Sequence, residues 1–191
     1  MAVGILMLAA GRSLRFGSDK RQAMLANGQT LLGAALANAR ASGLPLHVCL
    51  GHSDVELADS LRGQGYKVQL CRHSGLGMGA TLADGAAQLG DWQGVLVALS
   101  DMAWIAPDTF RLVADCINSD RICAPYYRGQ RGHPVGFGCD FYPELTELEG
   151  DRGAHALLEA FKPRVQRIEV FDSGILRDAD TPADLVTTDQ E

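Results

Sequence analysis

The amino-terminal segment constrains the fold more than any other part of this sequence. Residues Val3 to Leu8 form an apolar run with the length of a buried β-strand, too short for a free-standing helix. The run leads into a loop bounded by Gly11 and Gly17 that carries Arg12 and Arg15, and a third cation, Lys20, lies just beyond it. Glycines let backbone amides approach an anion closely, and cations supply the opposing charge, so the pattern favours a polyphosphate site. An ordinary basic surface turn is the alternative interpretation.

The loop differs from two common phosphate-binding motifs. A Walker A motif places its second glycine five residues after the first and follows it directly with Lys and Ser or Thr. Here Gly17 stands six residues after Gly11, and Lys20 is followed by Arg21. The dinucleotide fingerprint requires glycine where this chain has Ser13. The sequence therefore argues against a P-loop and against a nicotinamide-dependent oxidoreductase.

Strand-type and helix-type segments alternate along the rest of the chain. The predicted strands are 3–8, 46–50, 67–72, 94–99, 121–127, 135–139 and 164–171. The predicted helices are 30–41, 53–61, 81–89, 107–117 and 152–161, with a capped helical start at 181–184. This alternation predicts one α/β domain over residues 1–191, with a mostly parallel, doubly wound (Rossmann-like) sheet and helices on both faces.

The composition indicates which classes of partner and which cellular compartment to expect. The formal net charge is −6, so we expect no nucleic-acid partner. No apolar run approaches the ~20 residues that span a bilayer, so we expect no membrane partner. The five cysteines are odd in number and contain no C-x-x-C pair, which favours buried, reduced thiols and a cytoplasmic protein. The cysteines are Cys49, Cys71, Cys116, Cys123 and Cys139.

Acidic residues follow two of the predicted strands, where open α/β sheets bind their ligands. Asp101 comes directly after the apolar strand 94–99, and Asp180 follows the last strand. Mg²⁺ bound to a nucleotide prefers one or two carboxylates together with phosphate oxygens. Asp101 is therefore a candidate metal ligand, with a capping Asp at a strand–helix turn as the alternative. For Asp180 the alternative is that the segment is only a helix cap, which Thr181 and Asp184 satisfy alone.

Five segments resemble the MobA-like or MocA-like nucleotidyltransferases, in particular the molybdenum-cofactor cytidylyltransferase branch. One of them, Gly150-Asp151-Arg152-Gly153-Ala154, resembles the family's Gly-Asp-x-Gly-Ala run, with a plain helix N-terminus as the alternative. Leu8-Ala9-Ala10-Gly11, with the cations and glycine that follow, resembles the family's signature loop. Leu99-Ser100-Asp101-Met102 resembles its Leu-x-Asp-Met-Pro motif, although Ala103 replaces the proline. Asp180 to Leu185 resembles its closing Asp-Thr-Pro-Glu-Asp-Leu, and Arg131 to Val135 resembles an Arg-Gly-His-Pro-Val stretch. One segment departs: Gly75 to Leu82 replaces a Ser-rich segment of the family.

The resemblance implies a role for each matching residue. Arg15, Lys20 and Asp101 are the implied catalytic residues, and Asp101 with Asp180 would hold Mg²⁺. Arg131 and His133 would bind the acceptor, although His133 equally suits a structural hydrogen bond before Pro134. The implied nucleotide-binding residues are Leu8, Ala9, Ala10, Gly11, Arg12, Gly17, Gly77, Gly79 and Thr81.

The implied reaction is nucleotidyl transfer. The phosphate of a molybdopterin-type acceptor would attack a nucleoside triphosphate and release pyrophosphate, with a molybdoenzyme or a chaperone as a further partner. We expect CTP as the donor, because Ala10 matches the cytidylyl branch and the guanylyl enzymes usually have glycine there. The alternatives are a GTP-dependent molybdopterin guanylyltransferase, a sugar-phosphate nucleotidyltransferase and a non-catalytic nucleotide-binding regulator or chaperone.

Overall fold

A single mixed sheet with helices on both faces organises the protein, which confirms the predicted α/β class. The structure is a computed structural model that describes residues 2–11, 16 and 19–185. The strands of the described chain are β1 (Val3–Leu8), β2 (Leu46–Gly51), β3 (Lys67–Cys71), β4 (Gly94–Leu99), β5 (Ile122–Tyr127), β6 (Gln130–Arg131), β7 (Val135–Gly138) and β8 (Val165–Glu169). They follow the order β3-β2-β1-β4-β7-β5-β6, with β8 paired to β5.

The strand directions decide which loops meet. Strands β1 to β4 are mutually parallel. Strand β7 is antiparallel to both β4 and β5, so β5 runs in the same direction as β1 and β4. Strand β8 is parallel to β5. The carboxyl ends of β1, β4, β5 and β8 therefore lie at one edge of the sheet, where open α/β sheets bind ligands.

Each face of the sheet carries its own apolar core, because successive strand residues point to opposite faces. Ile5 and Met7 of β1 face one core, and Leu6 and Leu8 face the other. The first core is covered by α1 (Leu31–Ala41), α2 (Val55–Gly63) and α4 (Pro107–Asp115). The second is covered by α3 (Met78–Ala86), α5 (Tyr142–Thr146) and α6 (His155–Ala160).

The first helix begins where its capping residue predicts. The hydroxyl of Thr30 accepts a hydrogen bond of 3.1 Å from the amide of Gly33, which satisfies one free amide of the first turn.

Other helix boundaries differ from the sequence prediction for local reasons. Helix α3 begins at Met78, three residues before the predicted start, because the amide of Thr81 already donates to the carbonyl of Gly77. The hydroxyl of Thr81 bonds back to the same carbonyl, so Thr81 lies inside the helix. Helix α6 begins at His155, after two glycines with positive φ, Gly150 and Gly153. The last predicted helix is a short 3-10 turn over Pro182–Leu185.

Candidate active site

A cavity of about 600 Å³ opens at the carboxyl edge of the sheet. The ends of β1 and β4 form its floor, and the start of α3 forms one wall. The sequence-predicted residues that line it are Leu8, Ala10, Gly11, Lys20, Gly77, Thr81, Asp101 and Asp180. Leu76, Met78 and Asp151, which belong to segments that the sequence analysis singled out, also line it, as do Phe16, Arg21 and Ser74, which it did not. The predicted Arg12, Arg15 and Gly17 lie outside the described residues.

Lys20 brings the two predicted metal-ligating carboxylates together. It lies on a 3-10 turn, Lys20–Gln22, whose preceding Asp19 accepts from the amide of Arg21. The ammonium nitrogen of Lys20 is 2.7 Å from Oδ2 of Asp101 and 3.6 Å from Oδ1 of Asp180. It also donates to the carbonyl of Ala179 at 3.2 Å. These residues are distant in sequence and converge because strands β1 and β4 are neighbours.

A backbone hydrogen bond fixes the Asp180 segment against the end of β4. The amide of Ala179 donates to the carbonyl of Asp101 at 3.1 Å. Asp184, not Asp180, supplies the local cap, because its carboxylate accepts from the amides of Asp180 and Thr181 at 3.0 and 2.6 Å. The Asp180 side chain, which is 50% exposed, instead contacts Lys20.

Asp101 does not cap the helix that follows it. The helix that follows it, α4, has its cap position at Ala106. The Asp101 side chain is 19% exposed, and its Oδ1 is buried without a hydrogen-bond partner in the part of the chain that the structure describes. Buried polar atoms are nearly always satisfied, so such an oxygen is suited to a bound cation or donor. Within residues 2–11, 16 and 19–185, no group of three or more His, Cys, Asp or Glu is arranged to hold a metal.

The glycines of the segment 77–79 allow close packing against the loop 149–153. Gly77 has φ +125°, and an added Cβ would lie 2.3 Å from Oδ1 of Asp151 and 2.5 Å from the Gly150 backbone. A Cβ on Gly79 would lie 2.8 Å from the carbonyl oxygens of Glu149 and Gly150. The amide of Gly79 donates to Gly150 at 2.7 Å, and that of Gly77 donates to Ser74 at 3.3 Å. These glycines thus shape the cavity wall, while their amides bond within the protein.

Arg131 and His133 lie at the same sheet edge but do not line the cavity. Arg131 is half-buried at the end of β6. The amide of His133 donates to the carbonyl of Ile175 at 3.0 Å, and its ring bonds to the carbonyl of Val97. Burial lowers the pKa of His133, so its ring is held neutral. The predicted acceptor-binding role of both residues stays a prediction.

Comparison with known proteins identifies the family of this chain. A family model described as a MobA-like NTP transferase domain matches residues 5–167. The chain belongs to this family. Its fold is thus that of a nucleotidyltransferase domain.

Two relatives agree with this assignment. The purine catabolism protein PucB of Bacillus subtilis (strain 168) is 25% identical over 93% of this chain and 91% of its own length. The crystal structure of Rv0371c from Mycobacterium tuberculosis H37Rv matches with a TM-score of 0.82 and 29% identity over 96% of this chain and 95% of that chain. A structure of the same protein in complex with manganese matches with a TM-score of 0.74 and 26% identity, over 98% of this chain and 94% of that one.

The third relative shares the fold. A nucleotidyl transferase from Methanothermobacter has a TM-score of 0.82 at 21% identity, over 96% of this chain and 94% of that chain.

Among the described residues, no helix has the length and apolar character needed to cross a membrane.

Proposed function

We propose that this chain transfers CMP from CTP to the phosphate of a molybdopterin-type acceptor and releases pyrophosphate. The observation that carries the proposal is the convergence of Lys20, Asp101 and Asp180 on one cavity at the ligand-binding edge of a nucleotidyltransferase fold. A cation beside two carboxylates suits the triphosphate of a metal-bound nucleotide.

The charges around the cavity support a requirement for a divalent cation. In the described lining, three carboxylates, Asp101, Asp151 and Asp180, face two cations, Lys20 and Arg21, and both cations are already ion-paired. A triphosphate adds several negative charges, so a counter-charge is needed. Mg²⁺ suits a site with two carboxylates because phosphate oxygens and waters complete its shell. The manganese complex of Rv0371c supports the same class of ion.

The proposed reaction requires no covalent participation by the protein. A phosphate nucleophile is already ionised at neutral pH, so no general base is needed, and positioning and charge neutralisation dominate. Lys20 would neutralise charge on the triphosphate, together with Arg15. Asp101 and Asp180 would hold the metal ion, which when bound acts as a Lewis acid and orients the phosphates.

The choice of CTP rests on the resemblance at Ala10, a position where the guanylyl enzymes usually have glycine. Ala10 lines the cavity, and a glycine there would leave more room for a larger base. Leu76 and Met78 also line the cavity and are 66% and 46% exposed. Their apolar surfaces offer contacts to a flat ring.

A two-step experiment tests the proposal. Thermal unfolding is first measured with CTP, GTP, UTP and ATP, with and without Mg²⁺ or Mn²⁺. A nucleotide at 100 times its Kd stabilises the folded state by about 2.7 kcal/mol, roughly 5–11 °C for a chain of this size. Pyrophosphate release is then measured with the stabilising nucleotide after molybdopterin or, in separate reactions, sugar phosphates are added as acceptors.

The outcomes separate the candidate functions. A metal-dependent shift selective for CTP, followed by pyrophosphate release, supports the proposal. A shift selective for GTP indicates a molybdopterin guanylyltransferase. Turnover with sugar phosphates alone indicates a sugar-phosphate nucleotidyltransferase. Binding without turnover for every acceptor indicates a regulator.

A further inference from the structure

We propose that Arg21 is a positioning residue that holds the two ends of the nucleotide loop together, so that Lys20 is placed for the triphosphate. The inference rests on the proposed nucleotidyl transfer. Arg21 directly follows Lys20 and lines the same cavity, so it could be mistaken for a second phosphate ligand.

The hydrogen bonds of Arg21 argue against direct phosphate binding. A guanidinium has five N–H donors, and here five bonds use them. Nε donates to Oδ1 of Asp19 at 2.8 Å. Nη1 donates to the carbonyl of Ala9 at 2.8 Å and to Oδ2 of Asp54 at 2.5 Å. Nη2 donates to Oδ2 of Asp19 and Oδ1 of Asp54, both at 2.9 Å. The guanidinium is thus occupied by three protein partners, and two carboxylates match its charge.

These partners lie on three separate elements that surround the loop. Ala9 follows β1 and precedes the loop, whereas Asp19 closes the loop just before Lys20. Asp54 stands at the start of α2. Because Arg21 bonds to Ala9 and to Asp19, it joins the entry of the loop to its exit. The bidentate pair with Asp54 anchors both to the neighbouring strand–helix connection.

The carboxylate of Asp54 is itself held in place. Its Oδ2 accepts from the amide of Gly51, at the end of β2, at 2.9 Å. A Cβ on Gly51 would lie 2.9 Å from the same oxygen, so glycine allows this approach. The side chains of Arg21 and Asp54 are 11% and 19% exposed, so solvent screens their ion pair only partly.

The consequence for function is preorganisation. Lys20 lies on the same turn as Arg21 and reaches Asp101 at the end of β4. With Arg21 bonded to β1 and α2, the Lys20 backbone is fixed before the nucleotide arrives, which lowers the entropic cost of binding. Lysine at position 21 would keep the charge but could not form the planar, five-donor arrangement.

The experiment compares Arg21→Lys, Arg21→Gln, Asp54→Asn and the double variant Arg21→Gln/Asp54→Asn with the wild type. The matched control is Arg62→Gln, because Arg62 pairs with Asp59 on the surface of α2 with side chains 45% and 69% exposed. The measurements are the Kd for CTP with Mn²⁺, the KM for nucleotide and for acceptor, kcat per active site and the unfolding temperature.

We expect the Kd and KM for nucleotide to rise at least tenfold in Arg21→Lys and Arg21→Gln. The KM for the acceptor should change less than twofold, and the control should match the wild type. The Kd and KM for nucleotide of the double variant should be no higher than those of the poorer single variant, because both changes break the same Arg21–Asp54 pair.

Two results would overturn the inference. The first is a nucleotide Kd within twofold of wild type in Arg21→Gln or Arg21→Lys. The second is a loss confined to unfolding temperature and active fraction, which is what a purely structural role produces. A wild-type protein that binds none of the four nucleoside triphosphates overturns the proposed function as well, so the two failures are distinguishable.

Discussion

Replacing Gly77 with alanine tests the close packing between the start of α3 and the loop 149–153. Gly77 has φ +125° and ψ −178°, a backbone region that is essentially restricted to glycine. The new Cβ would lie 2.3 Å from Oδ1 of Asp151 and 2.5 Å from both the carbonyl carbon and oxygen of Gly150. The Asp151 side chain can rotate away, whereas the Gly150 backbone must move.

The expected cost has two parts. Forcing a non-glycine residue into this backbone region costs about 1–3 kcal/mol. Inserting a methyl group where backbone must shift costs a further 1–3 kcal/mol or so. We therefore expect the free energy of unfolding to fall by about 2–6 kcal/mol, which lowers the unfolding temperature by roughly 4–24 °C for a chain of this length.

The control for this variant is Gly63→Ala at the end of α2. An added Cβ there meets nothing within 4 Å, so alanine should leave stability unchanged or raise it by up to about 1 kcal/mol. Urea unfolding of both variants measures the difference. A Gly77→Ala protein within about 1 kcal/mol of wild type would contradict the packing argument.

Three further predictions address the site and the pH dependence of stability. Asp101→Asn should lower kcat at least a hundredfold in steady-state assays while circular dichroism stays native, and near-normal turnover would remove Asp101 from the site. The exposed Asp59→Asn is its control and should retain full activity. Chelation with EDTA should abolish pyrophosphate release, and added Mg²⁺ or Mn²⁺ should restore it; turnover that survives chelation would contradict a metal requirement. Burial, with a smaller effect from Lys67, lowers the pKa of His47 to about 4, so the unfolded chain binds the proton more readily and stability falls as pH drops from about 6.5 to 4. His47→Gln should remove about 3 kcal/mol of this loss, measured by urea unfolding at pH 7 and pH 4, and an unchanged pH dependence would refute it.

The central strands of this fold were predictable because β1, β2 and β4 are short apolar runs between polar or glycine-rich segments, whereas β6 consists of two polar residues, Gln130–Arg131, and was not predicted. Residues Val3 to Leu8 and Gly94 to Leu99 form strands with the predicted bounds. Helix starts were less predictable, as the start of α3 shows. Thr81 resembles a capping residue in sequence, yet its hydroxyl bonds back to Gly77 inside the helix.

Sequence alone could not show the role of Arg21. A second cation after Lys20 suggests another phosphate contact. Only the fold shows that Asp54, on a different strand–helix connection, uses two of its donors. Likewise, the sequence does not reveal that Asp151 approaches Gly77 across the cavity.

The sequence by itself determined the α/β class, the glycine loop after the first strand and the acidic residues after later strands, because these depend on local hydrophobic pattern and spacing. The tertiary structure decided which of those groups meet. Lys20 and Asp101 share one cavity because parallel strands β1 and β4 are neighbours, and Asp180 joins them because the amide of Ala179 bonds to the carbonyl of Asp101. Both contacts join residues far apart in the chain, which local sequence pattern does not specify.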